Sequence, residues 1–300
     1  MTLPIVHHPD YDAQFSADHR FPMSKYARLI KVLRDKGLAR PDNEHRPDLP
    51  GFDMLARAHA GDYVQAVLDC TVPRPIEREI GFPVDARVSR RAQLASAGTL
   101  LAARLALDHG LACNAAGGSH HARRAQGAGF CTFNDVAVAA LALLAEGAIS
   151  RALVVDLDVH QGDGTAEILM GDSRVFTFSM HAAKNYPLRK AVSDLDVALD
   201  DGIEDEAYLA ELARMLPLIA DHAKPQIVFY NAGVDPHRDD RLGRLALSDE
   251  GLRARDRAVI GYFRERNIPV CGVIGGGYSK DVDALAARHA ILFETAAEFA

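Results

Sequence analysis

The chain has 300 residues, of which 48% are hydrophobic and 25% are charged, and these ordinary globular values exclude an intrinsically disordered protein. Its 34 basic and 41 acidic side chains give a formal charge of −7, which argues against a general nucleic-acid-binding protein. The sequence has no pattern of a signal peptide and no apolar run long enough to cross a bilayer, so we expect no membrane partner.

Helix-like and strand-like segments alternate along the chain. Helical patterns cover residues 24–36, 89–109, 134–146, 205–222, 248–266 and 279–297. Short apolar runs typical of buried parallel strands lie at 111–115, 152–156, 175–180, 227–231 and 270–274. Polar stretches with several prolines predict surface loops at 39–50 and 71–87. The alternation predicts an α/β fold in which an open parallel sheet carries helices on both faces.

The four cysteines are scattered along the chain and form no CxxC pair. Such spacing favours buried, reduced thiols over a disulfide framework, so we expect a cytoplasmic protein. No repeat or low-complexity segment divides the sequence, and we expect residues 1–300 to form a single domain. In an open α/β sheet, ligands bind beyond the carboxyl ends of the strands, and the loops at those ends therefore hold the candidate site.

The first of these loops, residues 117–135, reads GGSHHARRAQGAGFCTFND. His120 and His121 are candidates for acid–base chemistry, although adjacent histidines also occur as surface or capping residues. We interpret Arg123 and Arg124 as solvated loop charges.

The second loop, residues 156–164, reads DLDVHQGDG and places four polar side chains after an apolar strand. Asp158 and His160 are two residues apart, so they share a face of an extended chain. A carboxylate and an imidazole in that arrangement suit a divalent transition metal. The alternative is a loop that only caps the next helix through Asp163.

Two later loops supply further groups. YNAGVDP, at 230–236, contains Asp235, which by itself is typical of a turn before proline. GGGYS, at 275–279, brings glycine backbone close to a bound group, and the Tyr278 phenol can donate a hydrogen bond to an oxyanion.

Three of these side chains predict a metal site that keeps an open position, as catalytic zinc sites do: Asp158, His160 and Asp235. The two histidines of the first loop remain as acid–base candidates. Asp156 and Asp163 could orient them, because a carboxylate behind an imidazole fixes its tautomer.

Taken together, these loops resemble the zinc-dependent histone deacetylase family, within the arginase/deacetylase fold. The resemblance covers nearly the whole chain, in the order GGSHHA (117–122), GAGFCTFND (127–135), DLDVHQGDG (156–164), FSMH (178–181), YNAGVDP (230–236) and GGGYS (275–279). Three stretches are most similar to the class IV branch and to bacterial deacetylase-like amidohydrolases: the N-terminal PIVHHPDY, the QGDG motif and YNAGVDPHRDDRLGRLALS. The resemblance implies one deacetylase-like catalytic domain over residues 1–300.

The resemblance also implies roles for individual residues. Zinc would be bound by Asp158, His160 and Asp235. His121 would be the general base and acid, with Asp163 behind it. His120 would be its electrostatic partner, with Asp156 behind it, and Tyr278 would be the oxyanion donor.

The same resemblance implies substrate contacts and a second cation. Gly129 and Phe130 would form one wall of an acyl-lysine tunnel, and Gly276 would lie against the substrate. A structural potassium ion would be held by backbone carbonyls of Asp156, Asp158 and His160, together with Ser179 and Met180.

Two departures from the family pattern concern the substrate. The loop that usually supplies an aromatic to the opposite tunnel wall reads AAKNYP, so Ala182 and Ala183 are small and only Tyr186 is aromatic. The two alanines predict tolerance of acyl chains longer than acetyl. An acidic rim residue cannot be placed within residues 71–87.

The expected activity is zinc-dependent hydrolysis of an N-acyl-lysine amide in a protein, or of a small acylated amine, by metal-activated water. The alternative is a small-molecule deacylase such as an acetylpolyamine amidohydrolase, whose usual N-terminal insertion the short segment 7–24 lacks. A two-metal arginase-like enzyme would need a DxHxD pattern, which Val159 and Gln161 do not provide. A non-catalytic acyl-lysine reader would not need to retain Tyr278.

Overall fold

A computed structural model describes residues 2–16 and 18–300 of the chain. Within these residues, eight strands form one sheet in the order β2-β1-β3-β8-β7-β4-β5-β6, and every neighbouring pair is parallel. The strands are β1 Ile5–Val6, β2 Glu44–His45, β3 Leu111–Asn114, β4 Ala152–Asp156, β5 Val175–Ala182, β6 Leu195–Leu199, β7 Ile227–Asn231 and β8 Val270–Val273. The predicted parallel sheet is therefore confirmed.

The helices of the described residues are α1 Lys25–Asp35, α2 Phe52–Ala56, α3 Gly61–Leu68, α4 Arg74–Ile80, α5 Ala86–His109, α6 Asp135–Ala145, α7 Asp163–Leu169, α8 Asp205–Ala223, α9 Asp249–Arg264 and α10 Val282–Ala297. Capping residues mark the two ends of the longest helix, α5. The Asp85 side chain accepts hydrogen bonds from the first turn of α5, and Gly110 ends that helix at φ +87, a conformation that favours glycine.

The two faces of the sheet are covered by different helices, and this explains why the first four residues of β4 are all apolar. Leu153 and Val155 belong to a core cluster that includes side chains of α8, α9 and α10. Ala152 and Val154 point to the other face and pack in a cluster with α6 and the second half of α5. A strand buried on both faces gains from apolar residues at every position. Replacing Leu153 by alanine would cost about 2–5 kcal/mol of stability.

Two stretches predicted to be loops contain regular structure. Residues 39–50 include β2, which adds an edge strand to β1, and residues 71–87 include α4. The prediction failed because β2 is only two residues long and α4 begins with proline after its first residue, so neither gives a periodic signal. No helix in the described ranges is long and apolar enough to span a membrane.

Candidate active site

The carboxyl ends of the central strands bring the predicted loops together. Asp156, the last residue of β4, pairs in register with Asn231, the last residue of β7. Asn231 in turn pairs with Val273 at the end of β8. The polar side chains that follow these positions therefore meet at one edge of the sheet.

Asp158, His160 and Asp235 form a buried cluster in which one potential ligand atom from each lies within 4.8 Å of the others. Nδ1 of His160 lies 3.0 Å from Oδ1 of Asp158 and 3.2 Å from Oδ2 of Asp235. Burial would lower the pKa of His160, but the two carboxylates raise it to about 10. Burial and the Asp158 charge raise the pKa of Asp235. Two carboxylates and one imidazole match the donor set of a catalytic zinc site.

The surroundings of the cluster leave a buried carboxylate oxygen and open space available to a cation. Oδ2 of Asp235 is buried and, apart from the 3.2 Å approach of His160 Nδ1, has no polar partner within the described part of the chain. A Cβ atom at Gly276 would lie 2.1 Å from that oxygen, so only glycine leaves the space open. The backbone N–H of Gly276 also donates to Oδ2 of Asp158 at 2.7 Å, and that of Val159 donates to Oδ1 of Asp235 at 2.9 Å.

His121 is held by a carboxylate that an arginine fixes in turn. Its Nδ1 lies 2.6 Å from Oδ1 of Asp163, and Arg123 Nη2 donates to the other oxygen of that carboxylate at 2.8 Å. Burial, followed by the charge of His120, lowers the pKa of His121 to about 4, so the imidazole is neutral at neutral pH. The interpretation of Arg123 as a solvated loop charge is wrong, because its guanidinium pairs with the buried Asp163 carboxylate.

His120 is paired in the same way with a different carboxylate. Its Nδ1 lies 2.7 Å from Oδ2 of Asp156, and Asn231 Nδ2 donates to the other oxygen at 2.9 Å. Burial alone would lower the pKa of His120, but the charges of Asp156 and Asp158 raise it to about 9. The two adjacent imidazoles have ring centroids 4.1 Å apart, and their surroundings shift their pKa values in opposite directions.

The start of α6 holds the histidine loop, which the sequence did not indicate. Asp135 accepts hydrogen bonds from the backbone N–H groups of Gly118 and Ser119 at 3.1 and 2.8 Å. Asn134 caps α6 and also donates to the carbonyl of Ala122 at 3.2 Å. Both ends of the segment that carries the two histidines are therefore fixed to one helix terminus.

Tyr278 lies beside the donor cluster and is 8% exposed. Its ring centroid is 6.2 Å from that of His160 and 5.7 Å from that of Phe130. Asp240 accepts a hydrogen bond from the Tyr278 backbone N–H at 2.7 Å. Burial and the charges of Asp235 and Asp158 raise the pKa of Tyr278 well above its usual range, so the phenol keeps its proton.

A cavity of about 470 Å³ leads from solvent to His121, His160 and Tyr278. Phe130 lines it, and Gly129 precedes Phe130 with both residues at positive φ. The backbone N–H of Gly129 donates to the carbonyl of Glu79 at 2.8 Å. α4 therefore fixes this wall of the cavity.

Tyr186, rather than the alanines before it, is the aromatic residue of the facing loop. Its ring centroid lies 4.8 Å from that of His121, and its side chain lines the cavity. Ala182 is fully buried at the end of β5, and neither it nor Ala183 is among the residues that line the cavity. The basis for expecting long acyl chains is therefore wrong. An acidic residue, Glu79, does lie in the 71–87 segment at this cavity.

A second, inner cavity of about 20 Å³ lies behind the donor cluster. Arg91, Tyr26 and Gly276 line it, together with both histidines. Arg91 donates to the hydroxyl of Tyr26 and, through Nε at 3.0 Å, to the carbonyl of Tyr11. Ser179 and Met180, the predicted potassium residues, are buried on β5, where Ser179 pairs in register with Asp156.

Residues 19–293 match the family described as the histone deacetylase domain. The chain belongs to the histone deacetylase family. Histone deacetylase 2 of Arabidopsis thaliana is 32% identical over 291 residues, which cover 93% of this chain and 75% of that protein. An uncharacterized protein of Picosynechococcus sp. is 46% identical over 296 residues, 99% of each chain.

Two solved structures share the deacetylase fold at 21% sequence identity. The HDA15 HD domain superposes with a TM-score of 0.81 and covers 98% of this chain and 88% of its own. Acetylpolyamine aminohydrolase from Burkholderia pseudomallei gives 0.80 and covers 98% of both. With the family, the fold and the buried Asp–His–Asp cluster, this chain is a deacetylase-family amidohydrolase with a candidate zinc site.

Proposed function

We propose that the protein hydrolyses N-acyl-lysine amides in proteins, releasing the amine and a short carboxylic acid. One observation carries the proposal: two His–Asp pairs and a phenol converge on the Asp–His–Asp cluster at the bottom of the cavity. An extended lysine side chain that enters between Phe130 and Tyr186 would present its acyl carbonyl to these groups.

Asp158, His160 and Asp235 would hold zinc. When bound, zinc supplies a Lewis acid that polarises the acyl carbonyl and acidifies water. His160 Nδ1 lies close to both carboxylates, so a single cation would contact all three side chains. That nitrogen must lose its proton to become a metal ligand.

His121 would move the protons. Its neutral imidazole, with Nδ1–H donating to Asp163, leaves Nε2 as the base that takes a proton from the attacking water. The same nitrogen would then donate that proton to the leaving amine, because an amine anion is too basic to leave unprotonated. Arg123 keeps Asp163 ionised and correctly oriented for this purpose.

Tyr278 would donate a hydrogen bond from its hydroxyl to the carbonyl oxygen as negative charge develops there, and the phenol would keep its proton. His120 would remain protonated and stabilise the charge of the ionised carboxylates around it. The N–H of Gly276 already donates to Asp158, so this residue would help the site by leaving the space beside Asp235 free of a side chain.

The remaining family features are proposed as well. Backbone carbonyls of Asp156, Asp158 and His160 would hold a structural potassium ion beside Ser179 and Met180. Residues 1–300 would act as one catalytic domain.

The proposal is tested by incubating the zinc-loaded protein with an acetyl-lysine peptide and measuring the free amine released. We expect the wild-type protein to hydrolyse the peptide, the His121→Ala variant to show no hydrolysis, and neither protein to hydrolyse N-acetylputrescine. Turnover of the acetylpolyamine without turnover of any acyl-lysine peptide would replace this function by the small-molecule alternative.

A further inference from the structure

We propose that the entrance of the active-site cavity selects acyl-lysine residues that lie in acidic peptide segments. This inference rests on the proposed function and specifies its substrate class. Five exposed charged residues line the cavity, and we call them the entrance cluster: Arg20, Arg78, Glu79, Lys184 and Arg244. Four of them are basic although the whole chain has a formal charge of −7. The local charge at the entrance is therefore opposite to that of the molecule.

Arg20 and Arg78 are free to pair with a substrate. Within residues 2–16 and 18–300, no carboxylate lies at ion-pair distance from either guanidinium. Arg20 lies 6.0 Å from the Phe130 ring centroid, which places it directly above one cavity wall. Other exposed arginines, such as Arg174 and Arg214, are paired with neighbouring carboxylates.

The opposite side of the entrance keeps one positive charge in excess. Arg244 lies 2.8 Å and Lys184 3.7 Å from the same carboxylate, that of Asp201. Two cations thus share one anion. With Glu79 counted against Arg20 and Arg78, both sides of the entrance remain net positive.

This charge distribution favours a flanking Asp or Glu on the substrate and opposes a cationic one. Exposed charges at a rim act on encounter and on weak binding, and salt screens them. An acylated polyamine carries its remaining positive charges into the same entrance, so the cluster disfavours that substrate. A lysine-rich and arginine-rich peptide is disfavoured for the same reason.

Three acetyl-lysine peptides of equal length, with two flanking Glu, Gln or Lys residues on each side, test the inference at low and high salt. We expect kcat/KM for the Glu peptide to exceed that for the Lys peptide about tenfold, since each exposed pair contributes up to about fivefold. The difference should arise mainly in KM and shrink at 0.5 M NaCl.

The double variant Arg20→Glu, Arg78→Glu should reverse the order of the Glu and Lys peptides. Arg151→Glu is the matched control: Arg151 is exposed but precedes β4, at the opposite edge of the sheet, and it should leave the order unchanged. Equal kcat/KM for the three peptides, or an order that the double variant does not change, would overturn the inference. Absence of turnover on all three peptides would instead contradict the proposed function.

Discussion

At the residue scale, the proposed function makes the Tyr278 hydroxyl the side-chain donor to negative charge on the acyl oxygen. Its buried position keeps the phenol protonated, while Asp240 fixes its backbone. Removing one oxyanion donor lowers kcat by about 10²–10³. We expect Tyr278→Phe to show this loss with zinc content unchanged, as measured by steady-state kinetics and elemental analysis. A variant within a few-fold of the wild-type kcat would exclude this role.

The metal ligands give a second prediction at the same scale. Asp158 and Asp235 come from different loops, after β4 and β7, and each supplies a buried oxygen to the cluster. Asp235→Ala should therefore retain the fold but lose most bound zinc and all measurable turnover. Asp221→Ala, an exposed position on α8, is the control and should keep both. Stoichiometric zinc in Asp235→Ala would contradict the assignment.

The sequence indicates the residues that directly follow strands better than those that support them. Asp158, His160 and Asp235 come soon after buried strands, and the rule for parallel sheets places them together. Arg123 lies 40 residues from Asp163, and Asp240 lies 38 residues from Tyr278, in loops without periodicity. Their pairing depends on how separate loops meet, which no local pattern encodes.

At the scale of elements, the segment between α2 and α3 fixes the histidine loop through His59. Its Nδ1 lies 2.9 Å from the carbonyl of Arg123, and its Nε2 accepts from the backbone N–H of Asn134 at 2.9 Å. Only a neutral imidazole with the proton on Nδ1 satisfies both partners. Burial lowers the pKa of His59 to about 4, and a protonated ring would point a donor at the Asn134 N–H.

The two hydrogen bonds of the buried His59 ring predict a pH-dependent contribution to stability. The pKa of His59 is about 4 in the folded chain and near 6.5 when unfolded, so between these values the unfolded state binds more protons. Its stabilising contribution is complete above pH 6.5 and declines as the pH falls toward 4, with a slope of up to about 1.4 kcal/mol per pH unit. Urea unfolding from pH 7.5 to 4.5 measures it.

His59→Leu is the variant that isolates this effect. At pH 7.5 it should cost about 1–3 kcal/mol, because the buried N–H of Asn134 loses its partner. The free energy of unfolding should depend less steeply on pH in the variant than in the wild type, because His59 no longer titrates. Some dependence should remain, because His7 and His181 retain their lowered pKa values. An unchanged slope would mean that His59 does not titrate differently on unfolding.

Elements marked by a continuous apolar run or a helical period were predictable from the sequence, and elements without either signal were not. β4 and β7 coincide with the apolar runs at 152–156 and 227–231, and the helix expected over 205–222 is observed as α8. β6 was missed because it is an edge strand whose residues are mostly half-exposed, so neither a continuous apolar run nor a clean alternation marks it.

At the scale of the whole molecule, we expect the packing of two helices against one loop, from distant parts of the chain, to limit how large an acyl group fits. The inner cavity is lined by His121 and Tyr278 and bounded by Tyr26 from α1, Arg91 from α5 and the glycine loop after β8. Its volume of about 20 Å³ is close to the space needed for a single water molecule. An acetyl methyl can approach this space, whereas a longer chain must displace packed side chains.

We therefore expect acetyl-lysine to be the preferred substrate among acyl forms of one peptide. Each methylene beyond acetyl would gain up to about 0.8 kcal/mol from burial only if space were available, while forcing extra groups into a packed interior costs about 1–3 kcal/mol. The balance is unfavourable here, so kcat/KM should fall by at least about tenfold from acetyl to hexanoyl and further for myristoyl. Release of the common deacylated peptide from the three substrates, measured at equal concentrations well below KM, compares them directly. A myristoyl peptide hydrolysed as fast as the acetyl peptide would show that Arg91, Tyr26 and the glycine loop separate on binding and that the small inner cavity does not limit the substrate.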